Sequence, residues 1–150
     1  MNEHEKFMKA ALRFAERAAQ NDEVPIGAVI VKDGKIVARA ANDRNHSKNA
    51  VSHAEIAAIV KACKKLGDWR LVGCRLYVTL EPCLMCIGAC YNARISEVYF
   101  GAYDRNGGGA TTVVDDFRNN TLNHNLTLVG GILKDDCSKM LTDYFRSKRQ

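Results

Sequence analysis

RLYVTLEPCLMCIGACYNARISEVYF, residues 75–100, holds a strand pattern, a helix pattern and a second strand pattern in unbroken succession. Arg75 to Leu80 reads as a strand, Leu84 to Tyr91 as a helix and Ile95 to Phe100 as a strand again. A strand that returns through a helix must cross over, which implies parallel pairing with a right-handed connection. Upstream, Ile56, Ile59, Val60, Cys63 and Leu66 mark one face of another helix. It follows the strands Ile26–Val31 and Ile36–Ala41 and the polar loop after them. Asp33-Gly34 between those strands is a hairpin turn, because both of its positions take φ > 0.

Further out, Phe7, Met8, Ala11, Leu12, Ala15 and Ala19 recur at helical spacing and predict a first amphipathic helix. Downstream, the glycine-rich Arg105–Gly109 leads to a short helix near Val113 to Phe117. Leu126–Val129 reads as a fifth strand, and Cys137, Met140, Leu141, Tyr144 and Phe145 as the stripe of a last helix. The expectation is an α/β fold with a mixed sheet of about five strands and helices on both faces. No repeat or linker divides residues 1–150, so one domain is expected.

A 47% apolar content with only two prolines fits an ordinary globular core. No apolar run approaches the roughly 20 residues that span a bilayer. The N-terminus lacks an uninterrupted apolar region of the secretory type. A cytoplasmic location with reduced thiols is therefore expected, and the six cysteines read as metal ligands or small buried residues before disulfides. A net charge of +5 leans towards a polyanionic partner such as nucleic acid. The cations of Arg146-Ser147-Lys148-Arg149 suit either a helix dipole or a phosphate-contacting edge.

The central stretch also carries chemistry. Cys83 and Cys86, three apart at the start of a helix, turn their sulfurs the same way. Pro82 suits the first helical position, and a helix N-terminus favours thiolates. A bare helix cap explains this motif equally well. Ser52-His53-Ala54-Glu55 opens the preceding helix, and it too has a plain reading as a Ser-x-x-Glu capping box. Two parallel crossover units, however, set their helix starts side by side, and His53, Cys83 and Cys86 then form a zinc ligand set. Cys63 lies about 15 Å along the helix from His53, too far to join. Cys90, one turn beyond Cys86, is the nearest rival for a fourth position. It and Cys63, Cys74 and Cys137 are expected to be buried small residues. A zinc with an open position activates water, and Glu55, two residues from His53, is placed to move that water's proton.

His-x-Glu, an interval of about thirty residues, then Pro-Cys-x-x-Cys is the signature of zinc nucleobase deaminases. The chain resembles the bacterial tRNA-specific adenosine deaminases over nearly its whole length. The matching stretches are EVPIGAVIVKDGKIVARAAN, SHAEIAAI, LYVTLEPCLMC, VYFGAYD, LNH and YFRSKR. The resemblance implies a three-layer α/β/α cytidine-deaminase-like fold, a Zn²⁺ cofactor, conversion of wobble adenosine to inosine in a tRNA anticodon loop, and a homodimer. It implies that His53, Cys83 and Cys86 bind zinc and Glu55 shuttles protons. It also implies that Asn42 bonds the purine, Ile26 lines the base pocket, and Asp104 and Asn123 approach the target nucleotide.

The chain departs from that family at three places. Ala50-Val51-Ser52 replaces Pro-Thr-Ala, Asn106 stands where a lysine is common, and Thr111-Thr112 replaces Gly-Ser. The loss of a lysine removes a phosphate contact. This keeps open a small-molecule deaminase acting on a free nucleobase or nucleoside (guanine, cytosine or adenine type), one acting on single-stranded DNA, and an inactive zinc-stabilised RNA-binding module.

Overall fold

The computed structural model describes residues 1–104, 109–116 and 124–149. Helix α1 (Glu3–Gln20) starts at a reciprocal cap. The Asn2 side chain accepts from the Glu5 N–H at 2.9 Å, and the Glu5 carboxylate accepts from the Asn2 N–H at 3.2 Å. Strands β1 (Gly27–Lys32) and β2 (Lys35–Ala41) form the expected hairpin. Asp33 at φ 52° and Gly34 at φ 74° supply its two left-handed positions.

The expected polar loop then contains a short helix, α2 (Arg44–Ser47), ended by Lys48 at φ 54°. The remaining elements are α3 (Ala54–Leu66), β3 (Cys74–Leu80), α4 (Leu84–Asn92), β4 (Glu97–Ala102), α5 (Ala110–Asp116), β5 (Thr127–Val129) and α6 (Lys134–Lys148).

The sheet order is β2-β1-β3-β4-β5. Strand β1 runs antiparallel to both its neighbours, while β3, β4 and β5 are parallel. The β3–α4–β4 unit is thus the parallel crossover expected from residues 75–100. For β2–α3–β3 the outcome differs: the two strands share a direction but do not pair, because β1 lies between them. Ala28 to Val31 are all but fully buried, and a strand apolar on both faces belongs in a sheet's interior.

Alternation along the strands builds two cores. Ala28, Ile30, Leu76, Val78, Val98 and Phe100 face α3, α4 and α5, against Ala58, Ile87 and Val114. Val29, Val31, Tyr77 and Tyr99 face α1 and α6, against Phe7, Met8 and Cys137. The result is the three-layer α/β/α sandwich with a mixed sheet. On the second face a Cβ at Gly27 would overlap the Ala11 carbonyl and the Ala15 nitrogen, so α1 rides directly on the β1 backbone. Among the described residues no helix is long and apolar enough to cross a membrane.

Candidate metal centre and active site

Strands β2 and β3 end on the same side of the sheet, so α3 and α4 begin next to one another there. Each helix starts at a candidate ligand. His53 is the N-cap of α3 (φ −74°, ψ 153°) and Cys83 the N-cap of α4 (φ −75°, ψ 175°). This corrects the placement of Cys83 in the first turn and of Pro82 at the first helical position: Pro82 precedes the cap. It also removes the Ser52–Glu55 capping box, since Ser52 lies outside the helix. Neither N-cap side chain bonds its own helix. Extended backbone at both positions turns the two side chains towards each other.

His53 Nδ1 lies 3.5 Å from Cys86 Sγ and 3.8 Å from Cys83 Sγ. The three ligand atoms fall within 4.8 Å of one another, and among the described residues no other His, Cys, Asp or Glu ligand atom joins them. Tetrahedral zinc, with bonds of about 2.0 Å to nitrogen and about 2.3 Å to sulfur, holds such atoms about 3.5 Å apart. The donor set therefore fits zinc in size and in kind. Cys90, the rival fourth ligand, is fully buried in the core beside α3 and α5, as are Cys74 and Cys137 in theirs. Cys63 is only half-buried, with Sγ 3.7 Å from the Trp69 carbonyl oxygen.

The electrostatics agree. Burial, followed by the nearby Glu55 and Cys83, pushes the Cys86 thiol up. A buried thiolate beside a carboxylate is costly without a cation, and bound zinc would supply one. Burial and then the Arg44 guanidinium hold the His53 imidazole below its ordinary value, which keeps it neutral and able to ligate. Glu55, on the first turn of α3, is 4% exposed. Burial raises its carboxyl, against hydrogen bonds from its own backbone N–H and from Cys86. It is a carboxyl beside the metal cluster but outside it, and the upward shift favours its holding a proton, as a proton carrier must.

The expected substrate residues are distributed around this centre. Asn42 directly follows β2, is 6% exposed, and donates its backbone N–H to the Ile26 carbonyl at 2.9 Å. Ile26 is half-buried against the α3-side core. Asn42 also lines a polar cleft of about 280 Å³ with Glu23, Arg44, Asn45, Lys48 and Asn49. Asp104 follows β4, with its backbone N–H on Glu81. Asn123, Asn106 and the Thr112 side chain lie outside the described residues. The cations Arg146 and Lys148 sit in the last turn of α6, as the helix-dipole reading requires.

Two residues passed over in the sequence prove structural to the site. Glu23, 1% exposed, accepts from the Asn45 N–H at 3.0 Å and the His46 N–H at 2.8 Å, and its carboxylate lies 2.6 Å from His46 Nδ1. It thereby pins α2 and the segment between Asn42 and His53. Glu81, 8% exposed, is the buried acid on the other flank. An acid bordering an apolar strand was the available signal, but acids in that position are usually solvated.

A family model described as the cytidine and deoxycytidylate deaminase zinc-binding region matches residues 1–102. A tRNA-specific adenosine deaminase of Bacillus subtilis (strain 168) is 45% identical over all 150 residues, which cover 93% of it. A solved structure from work on A-to-I editing by tRNA:A34 deaminases at the wobble position is 43% identical with a TM-score of 0.85. That alignment covers 91% of this chain and 99% of the other. Guanine deaminase from Bacillus subtilis is 46% identical with a TM-score of 0.65, over 69% of this chain and 66% of that one.

Proposed function

The chain belongs to the cytidine and deoxycytidylate deaminase zinc-binding family, and on that premise we propose that it deaminates adenosine to inosine at the wobble position of a tRNA anticodon loop. The observation that carries this is one imidazole and two thiols within 4.8 Å of each other, with buried Glu55 alongside but not among them. A purely structural centre has no use for that carboxyl. Full-length similarity to a tRNA-specific deaminase, against a shorter alignment with a guanine deaminase, favours the polymer as substrate.

His53, Cys83 and Cys86 would hold the ion; when bound, zinc supplies Lewis-acid activation of water. The rest falls to the chain. Glu55 Oε takes a proton from the attacking water and delivers protons to the purine ring nitrogen and then to the amine. The C6–N6 bond breaks, ammonia leaves, and oxygen from water stays on C6. Low exposure of Glu55 keeps bulk water from competing for those protons. Asn42 hydrogen-bonds the purine, Ile26 lines its pocket, and Asp104 and Asn123 contact the target nucleotide. Residues 1–150 act as one domain in a cytoplasmic homodimer.

The test is incubation of zinc-loaded protein with an anticodon stem-loop bearing wobble adenosine, and separately with free guanine, cytosine and adenine. Inosine in the RNA is the expected product. Ammonia from a free base without any inosine in RNA would transfer the assignment to a small-molecule deaminase.

A further inference from the structure

Glu81 separates the end of β3 from the Pro82-Cys83 start of α4, and none of the roles above uses it. It is 8% exposed. Its backbone N–H bonds the Ala102 carbonyl at 2.8 Å, extending the β3–β4 ladder by one step. Its carboxylate reaches two places that lie seven residues apart in sequence. Oε1 accepts from the Asp104 backbone N–H at 3.1 Å, and Oε2 accepts from the Thr111 hydroxyl at 3.3 Å. Asp104 is the last described residue beyond β4, and Thr111 lies on the first turn of α5.

A second contact pins the same region. A Cβ on Gly109 would meet the Leu84 side chain at 2.9 Å, so the chain entering α5 lies flat against the first residue of α4. Both ends of the 104–111 connection are therefore fastened to the two residues that flank Pro82-Cys83. The fastening is polar at Glu81 and steric at Leu84. A buried carboxylate is costly to place unless its oxygens are used, and here both are.

We propose that Glu81 is a positioning residue: it fixes Asp104 relative to the metal-bearing helix, so that the substrate-contacting segment and the reacting centre keep one geometry. Glu81 touches no reacting atom. Its effect runs through the Asp104 backbone and the Thr111 hydroxyl, and it belongs to substrate binding more than to the chemical step. Thr111 then has a physical role in this chain, because its hydroxyl completes the tether. The inference rests on the deamination reading for its kinetic part and on geometry alone for its structural part.

The experiment uses Glu81→Gln, Glu81→Ala and Thr111→Val in the full zinc-loaded chain. Zinc content and melting temperature are measured first, and amide exchange and kinetics on an anticodon stem-loop follow. A glutamine keeps the shape but offers one acceptor in place of two. In Glu81→Gln, zinc should stay at one per chain, KM should rise about tenfold and kcat should stay within about threefold. Exchange of the Asp104 amide should quicken by about tenfold in Glu81→Ala. Thr111→Val should raise KM less, and should add nothing on top of Glu81→Ala, because the hydroxyl's partner is already gone.

Unchanged Asp104 exchange would overturn the tether. So would an unchanged KM in variants that retain zinc, or a loss confined to kcat. Additive effects of the two sites would overturn it as well. Wild-type protein that makes no inosine, yet shows the exchange difference, would sink the deamination reading and leave the tether standing.

Discussion

His53 and Cys83 occupy the same position in two successive crossover helices: each is an N-cap, each leaves its own helix uncapped, and Nδ1 of one lies 3.8 Å from Sγ of the other. Side chains that ordinarily close a helix start are instead committed across the gap between helices. The helix starts supply positive dipole ends to the sulfurs, and burial disfavours an unpaired thiolate there.

Cys86→Ala should reduce bound zinc from one per chain to near zero, as read by atomic absorption. Chelation should lower the melting temperature of the wild type by about 10 °C, the effect of a ligand held about 1,000-fold above its Kd on a chain of this size. The variant's melting temperature should ignore the chelator. A chelator response equal in both proteins would remove Cys86 from the ligand set.

Glu55→Gln tests the proton carrier. The amide preserves shape but cannot exchange a proton, so zinc and fold should persist while kcat falls about 10²–10⁴-fold. The check is single-turnover inosine formation beside a metal assay. Activity within a few fold of wild type would reassign the proton transfer.

Glu23 gives a pH dependence whose sign can be worked out. Burial alone would raise its carboxyl, but hydrogen bonds from the Asn45 N–H, the His46 side chain and the His46 N–H prevail and hold it below its ordinary value. A carboxyl depressed in the folded chain stabilises it above the unfolded-state value and loses that contribution as pH falls through the folded-state value. Glu23→Gln should cost about 1–3 kcal/mol at pH 7, and its deficit against wild type should shrink on acidification towards pH 3. Urea melts at a series of pH values measure this, and a deficit constant in pH would contradict it.

Gly27→Ala should destabilise by about 1–3 kcal/mol through overpacking, since its Cβ meets α1 backbone with no side chain able to yield. Gly88→Ala, whose Cβ would stand in open space on α4, is the matched control and should be neutral or slightly stabilising. Paired thermal melts compare them.

Most of this was legible in residues 75–100 and in the apolar runs, because strand and helix periods are local properties. The ligand triad was legible too, since two crossovers of one handedness leave their helix starts adjacent. What local pattern could not show was β1 slotted between β2 and β3. That pairing is decided by which apolar strand most needs two covered faces, a competition among distant segments. The α3 cap falls one residue later than the sequence suggests and the α4 cap two residues later, because Ser52 and Pro82 satisfy the usual rules at neighbouring sites. Glu23 and Glu81 were missed for a third reason: a buried acid differs from a solvated one only in what surrounds it. Asn123 lies outside the described residues.

The insertion of β1 also sets how much of the chain must exist before the centre can be complete. In the folded chain residue 53 and residues 83 and 86 are brought together across β1, which pairs with β2 on one side and β3 on the other. A fragment ending before β3 contains His53 but neither sulfur of the triad, since both come after that strand. The three-ligand centre can therefore be completed only once the ribosome has passed residue 86, more than half-way along the chain.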